Sequence, residues 1–368
     1  MIPVFDPVAE YRLYSSEIRR AVMDALESGS YVLGEQVARF EEELSRYLGV
    51  RHVVGVASGT DALTIALQAC DIRPGDEVIT TPFSFIATAT SILHVGAKPV
   101  FADISLQDYN LDPESVVRCI TKRTRAIIPV HLYGHPAPME DLLQIAEDHG
   151  LIIVEDAAQG LGSMLKGKKV GSFGHAAAFS FYPTKTLGGY GDGGAIATND
   201  EQVAMKARAL RNHGSATKGV HSLLGYNSRL DEIQAAALRV KLRHLDEMVE
   251  KRRSLAKSYA EALRGTGLVV PGEREGTRHA FGLYTVRCRW REDLTGFLSR
   301  ENVGYGIYYP RLIFEHPLFR HFDYVVGECE RASQACREVV SLPMHSALTH
   351  GEVQHLLDVL KKLRKVNI

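Results

Sequence analysis

Leu151-Ile152-Ile153-Val154 runs directly into Glu155-Asp156-Ala157-Ala158-Gln159-Gly160. Four consecutive apolar residues with no polar alternation describe a strand covered on both faces, the kind found in parallel sheets. Just upstream, Met139 to His149 carries a helical pattern, and the run Ala126 to His131 reads as the preceding strand. Further strands are expected at Val53 to Ala57, Glu77 to Thr80 and Pro99 to Asp103. Helices are expected between them at Asp61 to Ala69, Ile86 to Val95 and Pro113 to Ile120. Strands alternating with helices make βαβ units, so the fold class is α/β, with a mostly parallel sheet covered on both faces as three αβα layers.

The pattern changes after Asn199. Glu201 to Asn212 is helical, and Asp231 to about Arg264 reads as one long helix that must bridge two domains or kink. Beyond it, Tyr284 to Trp290 and Tyr305 to Tyr309 read as strands, and Arg291 to Arg300 and Gly351 to Leu363 as helices. The expected division is a large domain over 1–245, including an N-terminal arm, and a smaller C-terminal α+β domain over 246–368.

Lys plus Arg number 43 against 44 for Asp plus Glu in 368 residues, a net charge of −1. Such a chain has no electrostatic footprint for nucleic acid or an anionic membrane. The five cysteines form no C-x-x-C pair, which suggests free thiols in a reducing compartment. The opening residues show no basic region followed by an apolar run, and no stretch approaches about 18 consecutive apolar residues. The expectation is a cytoplasmic enzyme.

Three motifs carry chemistry. Ser58-Gly59-Thr60-Asp61 follows a buried strand and opens a helix, where free backbone N–H groups and the helix dipole attract anions. An ordinary N-cap by Ser58 is the plainer reading of the same residues. Asp156 ends a buried strand, and ligands of open α/β sheets bind beyond the carboxyl ends of their strands; the plainer alternative is an Asp capping the next helix. Lys185 stands between Tyr182-Pro183-Thr184 and a run with five glycines in the seven residues Gly188 to Gly194. Glycine is kept where φ is positive or backbones approach closely. Gly189, Gly191 and Gly194 match G-x-G-x-x-G, but the strand-like Ala195-Ile196-Ala197-Thr198 follows instead of a helix, so the dinucleotide reading is rejected. His131, His213 and His345 lack metal-ligand spacing, and no metal is expected.

A phosphate cradle, a strand-end carboxylate and a Lys beside a glycine loop together match the needs of pyridoxal 5′-phosphate. That cofactor takes a Schiff-base Lys and an acidic partner for its pyridine nitrogen.

The chain resembles the DegT/StrS family of nucleotide-sugar aminotransferases, which have the aspartate aminotransferase fold (fold type I). The resemblance runs through Tyr31-Val32-Leu33-Gly34, Ser58-Gly59-Thr60-Asp61-Ala62-Leu63, Pro129-Val130-His131-Leu132-Tyr133-Gly134 and Glu155-Asp156-Ala157-Ala158-Gln159. It continues through Phe179-Ser180-Phe181-Tyr182-Pro183-Thr184-Lys185, Arg211-Asn212-His213-Gly214 and Gly225-Tyr226-Asn227-Ser228-Arg229-Leu230-Asp231. It implies Lys185 as Schiff-base lysine and proton shuttle, Asp156 as partner of the pyridine nitrogen and Gln159 as hydrogen-bond partner of the ring oxygen. Phe85 would stack on the ring, and Gly59, Thr60 and Ser180 would bind the phosphate. Asn227 would reach the phosphate from a second subunit, implying a homodimer with shared active sites, with Arg229 and Tyr309 as substrate contacts.

The implied reaction moves an amino group from L-glutamate to a keto sugar carried on UDP or dTDP, for amino-sugar and polysaccharide (lipopolysaccharide) biosynthesis. Gly191-Asp192-Gly193-Gly194 resembles members that aminate 3-oxo sugars, whereas 4-oxo members carry Thr-Thr-Gly-Glu-Gly-Gly. Tyr309-Pro310-Arg311-Leu312 departs from the Pro-Leu-His of many relatives. Two alternatives are a sugar dehydratase, in which His replaces the Schiff-base Lys, and a non-catalytic cofactor-binding sensor.

Overall fold

In the computed structural model, which describes residues 1–217 and 219–364, eight strands form one sheet. Its spatial order is His52–Val56, Gly194–Thr198, Ala176–Ser180, Ile152–Asp156, Thr124–Ile128, Glu77–Thr80, Lys98–Phe101 and Val325–Val326. Gly194–Thr198 is antiparallel to both neighbours. The other seven strands all point the same way.

Side chains along a strand alternate between faces, and here both sets are apolar. Val54, Val56, Val154 and Ala178 pack under helices Gly59–Ala69, Ala87–His94 and Glu201–Leu210. Val53, Ala177 and Phe179 face the opposite layer, where helices Glu35–Leu48 and Glu232–Arg243 lie. Ile79, Ile127 and Ile153 extend that layer against helices Pro113–Cys119 and Met139–His149. The continuous apolar runs thus fill two cores, giving the three-layer α/β architecture of fold type I.

The long helix expected from Asp231 takes the kinked form. It is two helices, Glu232–Arg243 and Leu245–Ala262, broken at His244 (φ −101°, ψ 2°). The His244 ring stacks on Tyr14 at 4.2 Å between centroids.

Tyr305–Tyr309 is a correction: it forms no strand, and only Gly306 makes an antiparallel bridge, to Ser341. Tyr308 and Tyr309 of this stretch pack in the cluster that holds Phe83 and Tyr133, and the Tyr133 hydroxyl donates to the Tyr308 carbonyl. Tertiary packing there replaces ladder pairing.

Strand Tyr284–Arg287 pairs antiparallel with Val339–Leu342, and helices Leu245–Ala262, Arg291–Arg300 and His350–Lys362 close a separate C-terminal core. Ile2 packs into that core, while Val325–Val326 adds a parallel edge to the large sheet. Among the described residues no helix is long and apolar enough to cross a membrane.

Candidate active site

Because seven strands share a direction, their carboxyl ends meet at one edge of the sheet. The segments leaving that edge include Ser58-Gly59-Thr60, Ser84-Phe85, His131 to Tyr133, Asp156 to Gln159 and Ser180 to Lys185. This is the crevice in which ligands of open α/β sheets bind.

Glu155 and Asp156 are adjacent in a strand and so face opposite sides. The Glu155 carboxylate is fully buried and accepts from the amides of Gly171, Phe173 and Gly174 at 2.7 Å each, and from His131 Nε2 at 2.9 Å. His131 Nδ1 accepts from the Ala137 amide at 3.0 Å, so its proton sits on Nε2. Burial alone would raise the Glu155 pKa; His131 and the amides outweigh it and hold the carboxyl below its usual range. Glu155 and His131 are thus a satisfied structural pair.

Asp156 is 5% exposed, with Oδ2 accepting from the Thr88 hydroxyl at 2.7 Å and Oδ1 from the Ala158 amide at 3.2 Å. No helix follows it, so the helix-capping alternative falls away. Burial raises its pKa against the pull of Thr88, Ala158 and the Lys185 charge. A buried carboxylate in this condition is stabilised by a cationic partner.

Lys185 is half-buried, and its amide donates to the Tyr182 carbonyl at 2.8 Å. Burial lowers its ammonium pKa, and the Asp156 charge restores part of the loss. The net effect is a lowered pKa, which raises the share of the neutral amine, the form that attacks a carbonyl.

The glycine run owes its composition to close approach. None of Gly188, Gly189, Gly191, Gly193 or Gly194 has positive φ. A Cβ on Gly188 would sit 2.3 Å from the Pro183 carbonyl oxygen, and one on Gly194 would sit 2.4 Å from that of Ser58. Residues Gly194–Thr198 are a strand, as the rejection of the dinucleotide fingerprint requires.

Ser58 is the N-cap of helix Gly59–Ala69, its hydroxyl accepting from the Asp61 amide at 3.1 Å. A Cβ on Gly59 would lie 2.6 Å from Ser180 Cβ, so the helix N-terminus touches the strand end that leads to Lys185. Gly59, Thr60 and Ser180 therefore form one polar corner with N–H groups that lack intrahelical acceptors.

Gln159 Oε1 accepts from the Tyr133 amide at 2.8 Å, and its Nε2 donates to the Tyr309 hydroxyl at 3.2 Å. The Phe85 ring is 55% exposed and lies 6.4 Å from that of Tyr309. Burial and the Asp156 charge raise the Tyr309 phenol pKa. A flat apolar face, a carboxylate, an amine and an anion corner are thus gathered in one crevice, and this set fits pyridoxal phosphate.

Asn227 and Arg229 stand apart. The Asn227 backbone bridges Asn212, its side chain is exposed, and Arg229 Nη1 donates to Asn212 Oδ1 at 3.1 Å. Between them, Ser228 accepts from the Ala57 amide at 3.1 Å and donates to Asp61 Oδ2 at 2.7 Å. The connection is tied to the base of the anion corner, but within one chain neither flanking side chain is hydrogen-bonded to Lys185, Asp156 or Gln159.

Thr88 and Tyr133 escaped the sequence reading. Thr88 is one helical turn past Phe85, and that spacing was the available signal. Tyr133 holds Gln159 through its backbone amide, a contact that leaves no signal in the side chain. Among the described residues no cluster of His, Cys, Asp and Glu could hold a metal ion.

Residues 13–361 match the model of the DegT/DnrJ/EryC1/StrS aminotransferase family. A pleiotropic regulatory protein of Geobacillus stearothermophilus is 44% identical over 97% of each chain. The UDP-N-acetyl-3-dehydro-alpha-D-glucosamine 3-aminotransferase of Acidithiobacillus ferrooxidans is 42% identical, covering 98% of this chain and 97% of the relative. The crystal structure of DesV from S. venezuelae, in complex with a ketimine intermediate, superposes with a TM-score of 0.96 at 40% identity, covering 100% of this chain and 99% of the other. With a match that spans the crevice and both cores, the chain belongs to the DegT/DnrJ/EryC1/StrS aminotransferase family.

Proposed function

We propose that this pyridoxal-phosphate-dependent aminotransferase moves an amino group from L-glutamate to the keto carbon of a sugar linked to UDP or dTDP, at the 3-oxo position. The observation that carries the reading is the convergence of Asp156 and Lys185. Burial raises the Asp156 pKa and lowers that of Lys185, each charge partly relieves the other, and a cationic partner for Asp156 would relieve it further. When bound, the cofactor supplies an electron sink for the carbon that loses its proton.

Lys185 holds the cofactor and carries that proton, and Asp156 keeps the pyridine nitrogen protonated. Gln159 hydrogen-bonds the ring oxygen, and Phe85 covers one ring face. Gly59, Thr60 and Ser180 take the phosphate, with Asn227 completing that corner from a second copy of the chain. Its exposure at the surface of one chain supports a homodimer. Arg229 and Tyr309 contact the substrate. The two domains divide near residue 245. Cytoplasmic residence is supported by five free cysteines. The 3-oxo position is supported by Gly191-Asp192-Gly193-Gly194 and by the A. ferrooxidans 3-aminotransferase relative.

The regulatory name of the G. stearothermophilus relative favours a second reading, a cofactor-binding sensor. Half-reactions decide between them. Transaminase activity requires that L-glutamate convert the loaded protein to its amine form with release of 2-oxoglutarate, and that a nucleotide-linked 3-oxo sugar then reverse the spectral change. Cofactor binding without either conversion would establish the sensor instead.

A further inference from the structure

Outside the crevice lies a buried ionic chain that the proposed reaction does not use. Lys241 is 2% exposed, Glu10 4% and Arg252 1%. Arg252 Nη2 donates to Glu10 Oε1 at 3.1 Å and Nη1 donates to the Met344 carbonyl at 2.7 Å. The Ser346 hydroxyl donates to the same Glu10 oxygen at 3.0 Å. Lys241 Nζ stands 3.9 Å from Glu10 Oε2. Burying an ammonium is unfavourable unless it is paired and hydrogen-bonded. The hydrogen bond that Lys241 makes, at 2.6 Å, goes to the carbonyl oxygen of Gly188, three residues after Lys185.

The loop held there is already pinned at its neck. The Lys185 amide donates to the Tyr182 carbonyl at 2.8 Å, and the Gly189 amide donates to the Phe181 carbonyl at 2.7 Å. A second bond comes from the same helix, Glu232–Arg243: Gln234 Oε1 accepts from the Tyr190 amide at 2.9 Å. Positions 234, 238 and 241 are spaced i, i+4, i+7 and so share one helix face. A Cβ on Gly189 would meet Gln234 Oε1 at 2.9 Å and Leu238 Cδ2 at 3.8 Å, so that face lies directly against the loop.

We infer that Lys241 is a positioning residue: its ammonium, anchored through Glu10 and Arg252, fixes the Gly188 carbonyl and thereby the register of the loop that presents Lys185. The inference rests on Lys185 being the working amine of the aminotransferase. Lys241 acts through backbone and does not touch the reacting atoms. Misplacing a reactive group by about 1 Å can lower a rate by about 10²-fold.

The test uses Lys241→Met in the full-length protein loaded with pyridoxal phosphate. Expected are a circular dichroism spectrum like wild type, a kcat per loaded site about 10- to 100-fold lower, and a KM for the nucleotide sugar within about twofold of wild type. The pH midpoint of the bound cofactor's visible band should move as well, because the Lys185 amine sits differently against Asp156. A lower melting temperature with unchanged kcat and unchanged midpoint would overturn the inference and leave Lys241 a structural residue. If the methionine variant does not fold, Lys241→Arg is read the same way, since it keeps the charge but displaces the donor. Wild-type protein that neither binds cofactor nor turns over would sink the aminotransferase reading itself, whereas an active wild type with an unaffected variant sinks only the role of Lys241.

Discussion

The Thr88 hydroxyl donates to Asp156 Oδ2 at 2.7 Å, and its oxygen lies 3.0 Å from Ser84 Oγ. A hydroxyl has one proton, so with Thr88 donating to the carboxylate, Ser84 donates to Thr88. The relay Ser84 to Thr88 to Asp156 favours the ionised carboxylate against the burial that opposes it. Thr88→Val removes the donor with little change in volume. The Asp156 pKa then rises further, so the acid limb of the kcat/KM profile should move to higher pH. Losing a hydrogen bond to a charged group is worth about 1.5–3 kcal/mol, or roughly 10- to 150-fold in rate if fully expressed in the transition state. A profile identical to wild type would show that the relay has no part in the chemistry.

Asp156→Asn separates activity from stability. An amide cannot keep a pyridine nitrogen protonated, so activity should fall at least about tenfold. Stability of the cofactor-free protein should move the other way. The folded pKa of Asp156 is raised, so its contribution is complete below its unfolded pKa of about 3.9 and is lost as pH rises through the folded value. Without cofactor, the asparagine variant should therefore melt above wild type at pH 7, with the gap closing toward about pH 3.5. A variant less stable than wild type at neutral pH would mean that the carboxylate is solvated rather than strained.

Glu155, its neighbour in the chain, carries the opposite sign. Its folded pKa is lowered, so the stability it contributes is complete above its unfolded pKa of about 4.3 and disappears as pH falls through the folded value. Glu155→Gln leaves an NH₂ group facing two donors, the Phe173 and Gly174 amides or the Gly171 amide and His131 Nε2. The loss at pH 7 should be at least about 1.5–3 kcal/mol, measured by denaturant unfolding, and should shrink below about pH 4. A constant difference across pH would assign the effect to packing instead of charge.

These two carboxylates also show how far the sequence could be read. The apolar run before them identifies a strand buried on both faces, and the strand end marks the crevice. Which carboxylate faces the crevice follows from the pleat only once the layers on each face are known, and a single sequence does not supply them. The same limit hid Thr88, whose partner lies 68 positions away, and the edge strand Val325–Val326, two residues that carry no periodicity of their own. Tyr305–Tyr309 failed for a different reason. Its aromatic content suits a pleated strand, but Tyr308 and Tyr309 pack in the cluster of Phe83 and Tyr133, and the Tyr133 hydroxyl donates to the Tyr308 carbonyl. Lys185 and the glycine run stand out in the sequence because each departs from what packing alone selects, whereas Gln159 is pointed to only by the family resemblance.

The last prediction concerns the second subunit. Ser228 is tied to Ala57 and Asp61 of its own chain, while Asn227 beside it is exposed. If Asn227 serves the partner's phosphate, each site needs Lys185 from one chain and Asn227 from the other. Lys185→Ala should be almost inactive while remaining folded, since general acid–base work alone is worth about 10²- to 10⁴-fold and the covalent attachment is lost too. Asn227→Asp should also be nearly inactive, because a carboxylate repels a phosphate at close range, where alanine would merely leave a gap. Neither variant can work alone. Mixed and allowed to exchange, they form dimers in which one site has both native residues and the other has both substitutions. Turnover should reappear in proportion to the mixed dimer, quantified by native mass spectrometry on subunits of distinguishable mass. Confirmed exchange without recovered turnover would place Asn227 in the same site as its own Lys185, and the shared-site proposal would be wrong.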